Sequence, residues 1–95
     1  MNKSLESSKN LIILGSLAMD LKRVSLGYQH NSMGMAERFY EEALKRKREV
    51  NMEIIKPYLK TILEKIELIK NEDNGKVAED ALMFSTLIQN YTQVF

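Results

Sequence analysis

The sequence predicts an all-α fold, a small helical bundle of three to four helical segments. Three observations carry this. Apolar residues recur at intervals of three and four along most of the chain, no stretch alternates with the period of two that a strand requires, and turn chemistry is confined to a few short stretches.

The first helix is read from about Ser8 to about Tyr28, on Leu11, Leu14, Leu17 with Ala18, Leu21, Val24 and Tyr28. Ser7 or Ser8 can accept from the free amides of its first turn. The polar residues 1–9 ahead of it are expected to be frayed, which leaves 10–95 as one helical-bundle domain. "GYQHNSMGM", residues 27–35, breaks the pattern with two glycines, an asparagine and a serine. Asn31 or Ser32 then caps a second helix on Ala36, Phe39 with Tyr40, Ala43 with Leu44, Lys47, Val50 and Ile54.

Pro57 interrupts the chain beyond that stripe, because it lacks an amide hydrogen and its ring crowds the carbonyl of Glu53. No glycine lies between Met35 and Gly75, so one long helix kinked at Pro57 is favoured over a tight junction between Asn51 and Pro57. After the proline, Tyr58 with Leu59, Ile62 with Leu63, Ile66 and Ile69 continue the pattern, displaced by one residue, or about 100° around a helix. "NEDNGK", residues 71–76, closes this segment with a turn. The last helix runs from about Lys76 on Val77 with Ala78, Ala81, Phe84 with Ser85, Ile88, Tyr91 and Phe95.

A chain of 95 residues buries a modest share of its surface, so a homodimer is expected. The absence of cysteine excludes disulfides and thiolate metal sites and leans towards the cytoplasm. Fourteen Lys and Arg against thirteen Asp and Glu give a net charge of +1, which removes any global argument for polyanions or acidic membranes. The longest apolar run, Leu11 to Met19, is about half the length of a membrane span. It does not read as a secretory signal either, because Glu6 lies in the leader and the run continues into an amphipathic pattern.

Lys45, Arg46, Lys47 and Arg48 stand in a row, but four consecutive helical residues span about 300° and form a collar instead of a face. Glu41 and Glu42 stand four residues before Lys45 and Arg46, the spacing of helix ion pairs. Between Glu37 and Glu53 five basic residues meet five acidic ones, so little charge is left to neutralise phosphates. The nucleic-acid reading, using Lys22, Arg23, Lys45, Arg46 and Arg48, is therefore the alternative. Lys47 lies on the apolar stripe and is expected to lay its stem along the core and send its ammonium out.

His30 is the only histidine, and with no second histidine or cysteine beside it no metal site is expected. Arg23 and His30 stand seven apart in "RVSLGYQH", which resembles, over those eight residues, the Arg-and-His motif of HEPN helical ribonucleases. Val24 stands where those families carry a polar residue. The resemblance implies a metal-independent ribonuclease as a third reading. No nucleophile elbow and no phosphate-binding glycine loop is present. The loop carrying Tyr28, His30, Met33, Met35 and Arg38 is the first choice for a functional surface, because methionine suits surfaces that adapt to a partner. The leading expectation is a non-enzymatic protein-binding module or adaptor, cytoplasmic and without cofactor. Its partners are a second copy of itself and an unidentified protein.

Overall fold

The computed structural model describes residues 3–93 and contains four α-helices: α1 (Lys3–Gln29), α2 (Met33–Glu49), α3 (Pro57–Ile66) and α4 (Asn74–Gln93). Among the described residues there is no strand. The helices alternate in direction. α1 is the spine: 27 residues at 1.5 Å each give about 40 Å, nearly the whole 45 Å long axis of the molecule.

α2 and α4 both run antiparallel to α1 and approach it closely. The residues at these seams are small. Gly27 of α1 meets Ala36 of α2 so tightly that an added Cβ would lie 2.8 Å from the Ala36 Cβ and backbone nitrogen. Ala18 and Ser25 of α1 face Ser85 and Ala78 of α4. α3 stands further off, because the side chains it buries are bulky: Leu59, Ile62, Leu63 and Ile66. They meet Leu14, Leu17, Leu21 and Val24 of α1 and Val77, Phe84 and Ile88 of α4 in one apolar cluster. Each such fully buried side chain contributes roughly 1.5–3 kcal/mol.

α3 runs back along α2. The Tyr40 hydroxyl donates to the Ile66 carbonyl at 2.7 Å, satisfying one of the carbonyls that a helix end leaves open. At the opposite end of α3 the Tyr58 ring meets Tyr91 of α4 edge-on, with centroids 5.9 Å apart.

The expected kink at Pro57 is replaced by a break. The backbone turns extended at Val50, makes a 3-10 turn at Met52–Ile54, turns extended again at Ile55 and Lys56, and restarts with Pro57 as the first residue of α3. Proline suits that position: its fixed φ is already helical and its missing N–H would have had no partner there. The bend in this region comes later. From Pro57 to residue 71 the helical path bends by 37°, passing from α3 into a 3-10 turn at Ile69–Asn71.

α1 begins at Lys3, ahead of the Ser8 that the apolar spacing suggests, and Asn10 ties its N-terminal third to the junction after α2. The Asn10 amide donates to the Asn51 carbonyl at 3.0 Å and accepts from the Asn51 N–H at 2.9 Å. Asn51 in turn donates from its side chain to Glu6 and accepts from the Glu53 N–H. Residues 1 and 2 of the segment lie outside the described residues, as does Phe95 at the end of the α4 stripe.

The turn between α1 and α2 does not rest on its glycines. Asn31 takes the left-handed conformation, with φ of 56°. The Ser32 N–H reaches back to the Gly27 carbonyl and the Asn31 N–H to the Tyr28 carbonyl, a Schellman closure of α1.

Candidate interaction surface

Three sides of α1 have different fates. Leu14, Leu17, Leu21 and Val24 are buried in the core, and Ala18 and Ser25 are covered by α4. On the third side Leu5, Ile12, Met19 and Leu26 remain 55%, 72%, 43% and 39% exposed. They recur every seven residues. Seven residues make nearly two whole turns, so the four side chains form one line that drifts only about 20° per repeat. The reading of α1 by its core stripe passed over this line. Its signal was the interval itself, hidden because α1 carries apolar residues on almost every side.

The stripe runs into the turn after α1. Leu26, His30, Ser32 and Met35 line one shallow surface pocket. Of the five loop residues named from sequence, His30 and Met35 thus reach a common surface. Tyr28 is half-buried and packs against the core. The Met33 sulfur is 3.8 Å from the Asn74 side-chain amide at the start of α4, so Met33 pins the turn to that helix. The Arg38 guanidinium lies over the Phe39 ring at 5.9 Å.

The basic run disperses around α2. Lys45 pairs with Glu42 at 3.6 Å, three residues back, instead of with Glu41. Arg46 turns away from Glu42 to Asp20 of α1, 3.6 Å away. Lys47 does lay its stem inward, with its side chain 15% exposed, and its ammonium reaches Glu67 at 3.3 Å. Arg48 and Lys22 are exposed. Arg23 pairs with Asp20 at 3.7 Å and lies over the Phe39 ring at 5.3 Å, while His30, its partner in the ribonuclease-like motif, opens onto the pocket with Met35.

Sequence reasoning missed Asp20, a buried carboxylate between two arginines. Burial pushes its carboxyl above the ordinary range, against the pull of Arg46 and Arg23. The Asp20–Arg46 pair is electrostatic only: neither Asp20 Oδ2 nor Arg46 Nε has a hydrogen-bond partner among the described residues. A buried pair of this kind is weak evidence for stability.

Among the described residues no group of three or more His, Asp or Glu is placed to hold a metal ion, and no helix is long and apolar enough to cross a membrane. Comparison with protein-family models, with curated proteins and with solved structures finds no match to this chain.

Proposed function

We propose that this chain is a non-enzymatic protein-binding module that works as a homodimer, and that its binding surface is the exposed side of α1 together with the turn at its C-terminal end. The observation that carries the proposal is the line of Leu5, Ile12, Met19 and Leu26. Four large apolar side chains stand exposed in one line on the longest helix, and exposed apolar side chains grouped on one side of a small protein are what a partner would cover. The pocket of Leu26, His30, Ser32 and Met35 extends the same surface.

The nucleic-acid reading loses support from the ion pairs of Lys45, Arg46 and Lys47, since a phosphate contact needs charge that is not already compensated. The ribonuclease-like reading loses support because Arg23 is engaged with Asp20 and Phe39.

The test is light scattering behind a sizing column at about 50 µM, where mass action favours association. The wild type is expected at twice the 11.0 kDa chain mass. Ile12→Glu, a change at the most exposed position of the line, is expected to return it to the chain mass with an unchanged helical signal by circular dichroism. A wild type that runs at the chain mass sinks the homodimer.

A further inference from the structure

We infer that Asn74 is a site of spontaneous deamidation, gated by the first turn of α4, and that its isoaspartyl product unseats that turn. Asn74 and Gly75 form the one Asn–Gly step in the chain, and both are exposed. Every other asparagine is followed by a residue whose Cβ crowds attack by its backbone nitrogen. Gly75 has no Cβ to do so.

The reaction consumes only water. The Gly75 nitrogen bonds to Asn74 Cγ, and its proton leaves with the side-chain nitrogen as ammonia, which closes a five-membered succinimide. Water then opens the ring at one of its two carbonyl carbons. Opening at Cγ leaves an aspartate in an ordinary peptide link. Opening at the main-chain carbonyl carbon leaves the link running through the side chain, with one more backbone atom between residues 74 and 75.

The fold controls access to this chemistry. Asn74 and Gly75 are the first two residues of α4. Ring closure needs the Asn74 ψ turned by about 80° from its helical value, so that the Gly75 nitrogen comes into line with Cγ. Two bonds hold the turn against that rotation: the Lys76 N–H donates to Asp73 Oδ1 at 2.9 Å, and the Val77 N–H donates to the Asp73 carbonyl at 2.9 Å. Both span the link between residues 74 and 75. The Gly75 N–H is itself one of the helix-start amides that have no acceptor in their own helix, so its attack breaks no helix bond of its own. Helix ends open far more readily than helix interiors, and each opening exposes the step to reaction.

The same geometry gives the product its effect. An extra backbone atom between residues 74 and 75 lengthens the path inside both bonds, so Asp73 no longer meets Lys76 and Val77 together. The Asn74 amide also donates to the Met33 sulfur at 3.8 Å, and a carboxylate in its place has no hydrogen to offer. The turn between α1 and α2 thereby loses its pin to α4.

The test holds the intact chain in mildly alkaline buffer and follows the tryptic peptide of residues 71–76 by mass spectrometry, with fragmentation to separate Asn71 from Asn74. Asn74 is expected to convert before every other asparagine. Asp73→Ala removes the cap and enlarges the opened population, so conversion accelerates about fivefold. Gly75→Ala slows it at least about fivefold, the share that the better helix former supplies before crowding is added. That variant keeps the fold, since the new Cβ meets only Asp73 Oδ1, at an ordinary 3.5 Å. Asn74→Asp supplies the charge without the extra backbone atom, at a helix start where a carboxylate is favourable. The isoaspartyl chain is expected to melt below it.

An Asn74 that stays intact, whether or not another asparagine converts, overturns the site. A rate indifferent to Asp73→Ala overturns the gate. An isoaspartyl chain that melts together with Asn74→Asp overturns the effect on the turn.

Discussion

Along α4, α1 places Ala18 and Ser25 opposite Ser85 and Ala78, and each serine hydroxyl donates to the carbonyl of the facing alanine, at 2.6 Å and 2.8 Å. The two bonds are reciprocal, seven residues apart on both helices, and they fix the register of an otherwise apolar seam. Along α2 the same spine relies on single devices spread over its length: Gly27 against Ala36 at one end, the Asp20–Arg46 pair in the middle, Asn10 with Asn51 at the other end. The first seam is a repeat and the second a set of unlike fastenings. A repeated seam shares its load between equivalent bonds, whereas loss of one unlike fastening is not made good by the next.

The sharpest way to break that contrast is Gly27→Ala. The new Cβ meets backbone atoms of Ala36, which cannot swing aside as a flexible side chain would. A loss of about 3 kcal/mol is expected, read by chemical denaturation, with the thermal midpoint lower by on the order of 15 °C. A loss below about 1 kcal/mol would show that α2 can slide off α1 freely and that the seam is not fastened there.

The α4 seam should give way in smaller, equal steps. Ser25→Ala and Ser85→Ala each remove a buried donor from a carbonyl that keeps its own helix bond, at a cost of about 1 kcal/mol apiece. The double variant is expected to show the sum within about 0.5 kcal/mol. A strong departure from additivity would mean that the two bonds act as one unit.

The smallest effect belongs to Asp20 and is a matter of pH. The folded carboxyl titrates above its unfolded value, so the folded chain takes up a proton before the unfolded chain does. This group's contribution is therefore fully present below the unfolded pKa and is lost as pH rises through the raised folded one. Asp20→Asn should remove that dependence, so that the difference in thermal midpoint between wild type and variant moves in favour of the wild type as the solution is acidified from neutrality. A difference that moves the other way would show that Arg46 and Arg23 outweigh the desolvation.

Much of the α4 face was legible in the sequence, where Val77, Ala78, Ala81, Phe84, Ser85, Ile88 and Tyr91 are the buried residues and also the residues that periodicity names. On α4 the spacing of three and four separates these residues from Leu82, Met83 and Leu87, which are apolar but exposed. α1 was legible only in its core stripe. It is buried on two sides and apolar on the third, which flattens the contrast that periodicity depends on. Asn10 and Asp20 are buried through partners on other segments, Asn51 and Arg46, and spacing within one helix says nothing about those. Pro57 was ambiguous for a local reason: proline breaks a helix interior and begins a helix equally well, and the extended residues at Val50, Ile55 and Lys56 decide between the two. Of the candidate surface, the sequence singles out the turn, through its methionines and histidine, but not the stripe leading into it.

The central position of α1 also sets an order of assembly. Its contacts with α2 close across a three-residue turn, whereas the bonds that seat α4 join residues 53 and 67 positions apart. Closing a long loop costs entropy before any contact rewards it, so the α1–α2 hairpin is the fast element and the docking of α4 the slow one. On the ribosome the interval lengthens, since α4 is made after the hairpin is already available to form. During that interval Ala18 and Ser25 stand open alongside the exposed Ile12 and Met19, so a nascent α1 presents more uncovered surface than the finished chain does.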